Sequence, residues 1–159
     1  MTYEPGHARY IPGQPWQGAT ITQFAGPDGM MGAVAAFDPM NGKTKWYNKE
    51  KYLATSGILS TAGNLVFYNA GDRWFKAVDG TNGKEIWRFQ IGSPSMGNPF
   101  SYQHLGKQYI GILSGIGIYN SGCDKAEVAC KWFDEGISAA YGPAASNYAY
   151  AGMLSVFKL

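Results

Sequence analysis

Eleven residues are written twice, forty-one positions apart: AFDPMNGKTKW at 36–46 and AVDGTNGKEIW at 77–87. Ala, Asp, Asn, Gly, Lys and Trp recur at matching places. A period of about 40–45 residues belongs to propeller blades, in which one supersecondary unit cannot bury its apolar face alone and must stack on the next. Within each copy the chemistry is that of a hairpin. GAVAAFD (32–38) and WFKAVD (74–79) run apolar or alternate, as strands do. Asp38 and Asp79 are placed to accept from backbone amides two residues on, and Asn-Gly, ending at Gly42 and Gly83, tolerates positive φ. The chain then returns as KTKWYN (43–48) and KEIWRF (84–89).

The other half of the period recurs too. TAGNLVFYNA (61–70) and HLGKQYIGIL (104–113) each carry a Gly followed by an apolar strand, and GMLSVFKL (152–159) repeats the GAVAAFD strand with no turn behind it. Strands are predicted at 32–38, 43–48, 57–61, 64–69, 73–79, 84–90, 99–103, 108–114 and 152–158. This is an all-β chain, a partial β-propeller of about two and a half four-stranded blades. Residues 1–30 form a loop-rich lead-in with prolines at 5, 12 and 15. Residues 31–118 hold two repeats, 119–151 a long insertion and 152–159 a final strand. Trp46 and Trp87 close the repeated phrase. A ligand-stacking role is conceivable for one such ring, but equivalent positions in a repeat do equivalent work, which favours packing between blades.

With 22 glycines and few charged residues the composition suits short strands and tight turns, and a net charge of +2 without a basic run gives nucleic acid no footprint. No apolar stretch approaches the roughly 18 residues that span a bilayer, and the first residues lack the basic and apolar regions of a signal peptide. Cys123 and Cys130 are seven apart. In a continuous helix they would lie about 10 Å apart, so a disulfide needs the intervening DKAEVA to bend back; two free thiols are the other reading.

These residues resemble a known family. A-x-D-x-x-x-G-K-x-x-W is similar to the tryptophan-docking motif of quinoprotein alcohol dehydrogenases, eight-bladed propellers that bind pyrroloquinoline quinone (PQQ). The likeness extends through 60–117 nearly strand for strand, and MTYEPG and GMLSVFKL also resemble family segments. It points to the carboxy-terminal part of the methanol and ethanol dehydrogenase large subunits. What it implies is oxidation of a small primary alcohol in the periplasm, with electrons passed to a cytochrome c. Calcium or a lanthanide would polarise the quinone, and an Asp would act as base. Both the metal ligands and that Asp come from earlier blades, so no catalytic or metal residue is expected in this chain.

The expected contribution is one wall of the cofactor funnel. Thr55, Ser56 and Gly57 stand where a family Trp and Gly approach the quinone, and Gly117, Ile118 and Tyr119 stand where a second family Trp walls the cavity. Thr55 or Ser56 in place of one ring, and Tyr119 in place of the other, imply an altered pocket. The resemblance also favours a Cys123–Cys130 disulfide and an export signal outside these residues. Asp38, Gly42, Trp46, Asp79, Gly83 and Trp87 are assigned to structural docking.

Two and a half blades cannot close, since an open sheet leaves edges and apolar faces bare. The remaining blades are therefore expected as a partner subunit or a missing segment. A non-catalytic propeller scaffold or an inactive truncated relic is the alternative. The other candidates are blander. Gly115, Gly117 and Gly122 lack phosphate-loop spacing. His7 and His104 lack metal-ligand spacing. Asp72 belongs in a loop, and Asp124, Glu127, Asp134 and Glu135 read as a solvated face of a short helix.

Overall fold

The computed structural model describes residues 2–5, 12, 19–22, 26–115 and 152–159. All regular structure among them is strand. A short ribbon pairs β1 (Thr2–Pro5) with β2 (Ala19–Thr22). Three antiparallel sheets follow. The first pairs β3 (Gly32–Phe37) with β4 (Thr44–Glu50). The central sheet runs in order β5 (Leu59–Ser60), β6 (Leu65–Asn69), β7 (Trp74–Asp79) and β8 (Glu85–Gln90). The third is ordered β11 (Met153–Lys158), β10 (Lys107–Ser114), β9 (Phe100–His104).

Consecutive strands pair throughout the central sheet, as in a propeller blade. Alternation along β6 and β7 sends its side chains to two opposite faces. Tyr68 and Val78 pack with Val34 and Trp46 of the first sheet. Phe67, Phe75 and Ala77 pack with Ile91, and with Ile110 and Ile112 of the third sheet, while Phe157 leans on the same cluster. The sheet thus has no solvated face along these strands, which is why VFYN and FKAV read as runs instead of clean alternations.

All nine strands expected from the repeat are present, with small shifts at their ends. The lead-in differs from expectation. Residues 1–30, expected to be loop-rich, also contain β1 and β2. Pro5 lies in a two-stranded ribbon, in which both strands are edges and a missing N–H is tolerated. The partner segment lies more than a dozen residues away, so no local pattern announces the pairing. Among the described residues no helix is long and apolar enough to cross a membrane.

Candidate functional site

The two repeated turns are built alike. Asp38 N donates to Lys43 O at 2.8 Å and Asp79 N to Lys84 O at 2.9 Å. Gly42 N reaches Asp38 O at 2.7 Å, and Gly83 N reaches Asp79 O at 2.8 Å. Each Asp caps the amide two residues on, Met40 N at 2.9 Å and Thr81 N at 2.7 Å. Each Asn accepts from its Lys amide, at 2.9 Å for Asn41 and 2.8 Å for Asn82. Both glycines are left-handed, with φ of 69° and 74°. The amides bonded to the Asp79 carboxylate, and the Thr81 hydroxyl, hold its pKa below the usual value. These Asp side chains are engaged in turns, with no arrangement for acid–base chemistry.

The tryptophans meet different surroundings. Trp46 is buried, its ring lies on Gly83, and its indole N–H donates to Gly80 O at 2.8 Å. A methyl group on Gly83 would come within 2.7 Å of that ring. Asn48, two residues on, donates to Gly83 O at 2.7 Å. Trp87 is 37% exposed and sits among Phe75, Phe89 and Phe157, meeting Phe157 edge-on at 5.0 Å.

Beside Trp46, the end of β4 delivers a buried acid between the first two sheets. Glu50 accepts from the Tyr68 hydroxyl at 2.8 Å and from Lys76 Nζ at 2.7 Å, and Asp72 stands 3.7 Å from the same amine. Burial, and then the Glu50 carboxylate, push the Tyr68 hydroxyl well above its ordinary pKa.

After Glu50 the chain crosses from the first sheet to the central one through 51–58, the segment holding Thr55, Ser56 and Gly57. Its path is fixed at every step. Gly32 has no room for a Cβ, which would meet Tyr52 O at 2.5 Å and Ala54 N at 3.0 Å. Leu53 O accepts from Gly71 N at 3.1 Å. Thr55 Oγ1 donates to Ser95 O at 3.2 Å. Ser56 Oγ accepts from Asn69 N at 2.7 Å and lies 3.1 Å from Asn69 O and 2.9 Å from Gly57 O. The Asn98 side chain fills the space where a Gly57 side chain would stand.

Ser95 is the meeting point. It is fully buried, and its Oγ donates to Leu113 O at 2.6 Å and accepts from Gly97 N at 3.1 Å. It also bridges to Gly115, whose amide donates to Pro94 O at 2.9 Å. Thr55 and Gly115 therefore meet the 93–97 loop from two sides. Gly117, Ile118, Tyr119, Cys123 and Cys130 lie outside the described residues, as do His7, Gly122 and the acidic residues at 124–135. His104 is exposed at the end of β9, next to the Leu105–Gly106 turn.

The side chains of Thr55 and Ser56 are engaged within the protein. The Ser56 hydroxyl is engaged by Asn69, the Thr55 hydroxyl by Ser95, and the Gly57 gap by Asn98. Residues 55–57 are themselves half-buried. Among the described residues no group of three or more His, Cys, Asp or Glu side chains is assembled to hold a metal ion. Sequence reasoning missed Asn69, Ser95, Asn98 and the Glu50–Tyr68–Lys76 cluster. The available signal was a polar residue at an inward position of an apolar strand: Asn69 after VFY, and Lys76 between Phe75 and Ala77.

Comparison with known proteins agrees with this architecture. Residues 48–110 match the PQQ family described as the glucose/ethanol/alcohol dehydrogenase β-propeller domain. A lanthanide-dependent methanol dehydrogenase of Methylorubrum extorquens is 44% identical over 119 residues, 74% of this chain and 20% of that protein. Subunit 1 of the methanol dehydrogenase [cytochrome c] of Methylobacterium organophilum is 37% identical over 123 residues, again 74% of this chain and 20% of the relative. Among solved structures, a europium-containing methanol dehydrogenase superposes with a TM-score of 0.76 at 32% identity, covering 99% of this chain and 29% of that one. The chain thus spans about a fifth of the length of these curated relatives. Sheet order, stacked blades and sequence agree: these blades belong to the β-propeller family of PQQ-dependent methanol and ethanol dehydrogenases.

Proposed function

We propose that this chain supplies one wall of the cofactor and substrate funnel in a PQQ-dependent dehydrogenase of small primary alcohols. The observation that carries the reading is the match at 44% identity to a lanthanide-dependent methanol dehydrogenase, which spans most of this chain. The 55–57 segment is consistent with it, because the Thr55 and Ser56 hydroxyls are engaged within the protein and the three residues stay half-buried. Bound PQQ would supply the two-electron oxidation of the alcohol. Thr55, Ser56 and Gly57 would keep one edge of the quinone covered and water out, with Gly117, Ile118 and Tyr119 closing the adjoining side. The base and the ligands for calcium or a lanthanide would come from blades outside this chain.

Asp38, Gly42, Trp46, Asp79, Gly83 and Trp87 hold blade to blade in this reading. The partners are the remaining blades, a small alcohol and, by analogy with the relative named for it, a cytochrome c as electron acceptor. The compartment is the periplasm.

The test combines this chain with the blades that complete the propeller and adds PQQ with calcium or a lanthanide. Expected are a retained quinone absorbance after desalting and dye reduction on addition of methanol or ethanol. An assembled propeller that neither retains quinone nor reduces dye overturns the reading.

A further inference from the structure

We propose that Asn69 is a positioning residue that sets where the 55–57 wall stands, an inference that rests on the funnel-wall reading above. Asn69 ends β6 on the face it shares with Leu65 and Phe67, paired across the sheet with Phe75, and is completely buried. An amide in such a place is costly unless each polar atom is matched. Here each one is. Its Nδ2 donates to Trp74 O at 3.0 Å, and its Oδ1 accepts from Ser95 N at 2.8 Å. Its own N–H donates to Ser56 Oγ at 2.7 Å, and its carbonyl lies 3.1 Å from that oxygen.

The side chain therefore fixes the 93–97 loop, and the main chain fixes Ser56. Thr55 then closes the circuit on Ser95 O at 3.2 Å. No apolar residue of similar size can do this, because Trp74 O needs a donor and Ser95 N an acceptor, and the carboxamide supplies both. Asp would set a second acceptor against Trp74 O. A packing role alone would call for Leu or Val, as the neighbouring strand positions have. Asn69 reaches neither solvent nor the cavity, so it acts only through Ser56, Thr55 and Ser95.

The experiment compares wild type, Asn69→Ala and Ile112→Val in the completed propeller. Ile112 lies in the same core between the central and third sheets but outside the polar circuit. Hydrogen exchange is followed by mass spectrometry over 52–58, 93–98 and the β3–β4 hairpin, and PQQ affinity is measured by titration. Removing one buried partner should speed exchange in 52–58 and 93–98 by about tenfold or more, and weaken PQQ binding by about tenfold. The hairpin should be unchanged, and Ile112→Val should alter neither the two loops nor the affinity selectively.

Unchanged exchange in 52–58, or a rise spread evenly over all segments, overturns the assignment. So does a local rise with unaltered PQQ affinity, since the wall would then not depend on it. If wild type itself fails to hold PQQ, the funnel reading falls and the role assigned toward the quinone falls with it. The exchange pattern in the unloaded protein would then still decide whether Asn69 places the loop.

Discussion

The two faces of the central sheet are held by different means. Toward the first sheet, apolar packing of Val34 and Trp46 on Tyr68 and Val78 is joined by directional polar contacts: the Trp46 indole on Gly80 O, Asn48 on Gly83 O, and Glu50 shared by Tyr68 and Lys76. Toward the third sheet the contact is apolar, with Ile110 and Ile112 against Phe67 and Phe75, and Trp87 on Phe157. Hydrogen bonds with fixed partners set a register, because sliding by one residue leaves buried donors unpaired. Aliphatic and aromatic contact tolerates small displacement at little cost. The first interface thus fixes register, and the second adds burial while its alignment comes from the Asn69–Ser95 circuit.

The same asymmetry separates the two copies of the repeated phrase. Their turns share the same four backbone and Asx bonds, yet Gly83 carries a tryptophan on its open side, while nothing described lies within 4 Å of where a Gly42 side chain would begin. The clasp therefore consists of one blade's Trp and the next blade's turn, not of the eleven residues of a single copy. The sharpest way to break this comparison is to truncate each ring. Trp46→Ala should cost about 3–5 kcal/mol, the cost of emptying a buried aromatic site and orphaning a partly buried carbonyl. Trp87→Ala should cost about 2 kcal/mol, because part of its ring already faces water. Denaturant unfolding of the full chain measures both. Equal losses would mean that the two rings do the same work despite their surroundings.

A smaller effect should come from the receiving side. Gly42→Ala places a methyl into open space and pays only for the left-handed backbone, about 1 kcal/mol. Gly83→Ala adds a collision with the Trp46 ring and should cost about 3 kcal/mol in all. Should the two substitutions shift the unfolding midpoint alike, the Trp46–Gly83 contact would be incidental to stability.

Much of this was legible because it is periodic. The Asp, Asn-Gly and Trp spacing locates both hairpins, and the TAG-LVFY and GKQYIGIL strands place the inner half of each blade. What escaped has no local signature. β1 and β2 pair across a gap that no pattern spans. Asn69, Ser95 and Glu50 take their importance from partners 13 to 26 residues away. The sequence resemblance points to Thr55 and Ser56 as wall residues, but their hydroxyl partners on Ser95 and Asn69 exist only once the sheets are stacked. The equivalence assumed for Trp46 and Trp87 shows the limit of repeat logic. A repeat specifies what each unit offers, and the neighbour decides what is done with it.

The smallest expected effect separates the two interfaces by pH. Tyr68 lies in the first interface, and its hydroxyl faces Glu50, with Lys76 close to its ring. Burial and that carboxylate raise its folded pKa above the ordinary value near 10. A raised folded pKa means that the protonated form belongs to the folded state. The stability it contributes is whole below about pH 10, where the unfolded tyrosine is also protonated. Above that the unfolded chain releases the proton first, and stability falls by up to about 1.4 kcal/mol per pH unit until the folded pKa is reached. Between pH 9 and 10.5 this amounts to less than about 1 kcal/mol. Tyr68→Phe should be less stable at neutral pH, because Glu50 loses a donor, and should lack that part of the alkaline decline. If wild type and Tyr68→Phe lose stability in parallel from pH 9 to 10.5, Tyr68 is not protected by Glu50, and the polar character assigned to the first interface rests on Trp46, Asn48 and Lys76 alone.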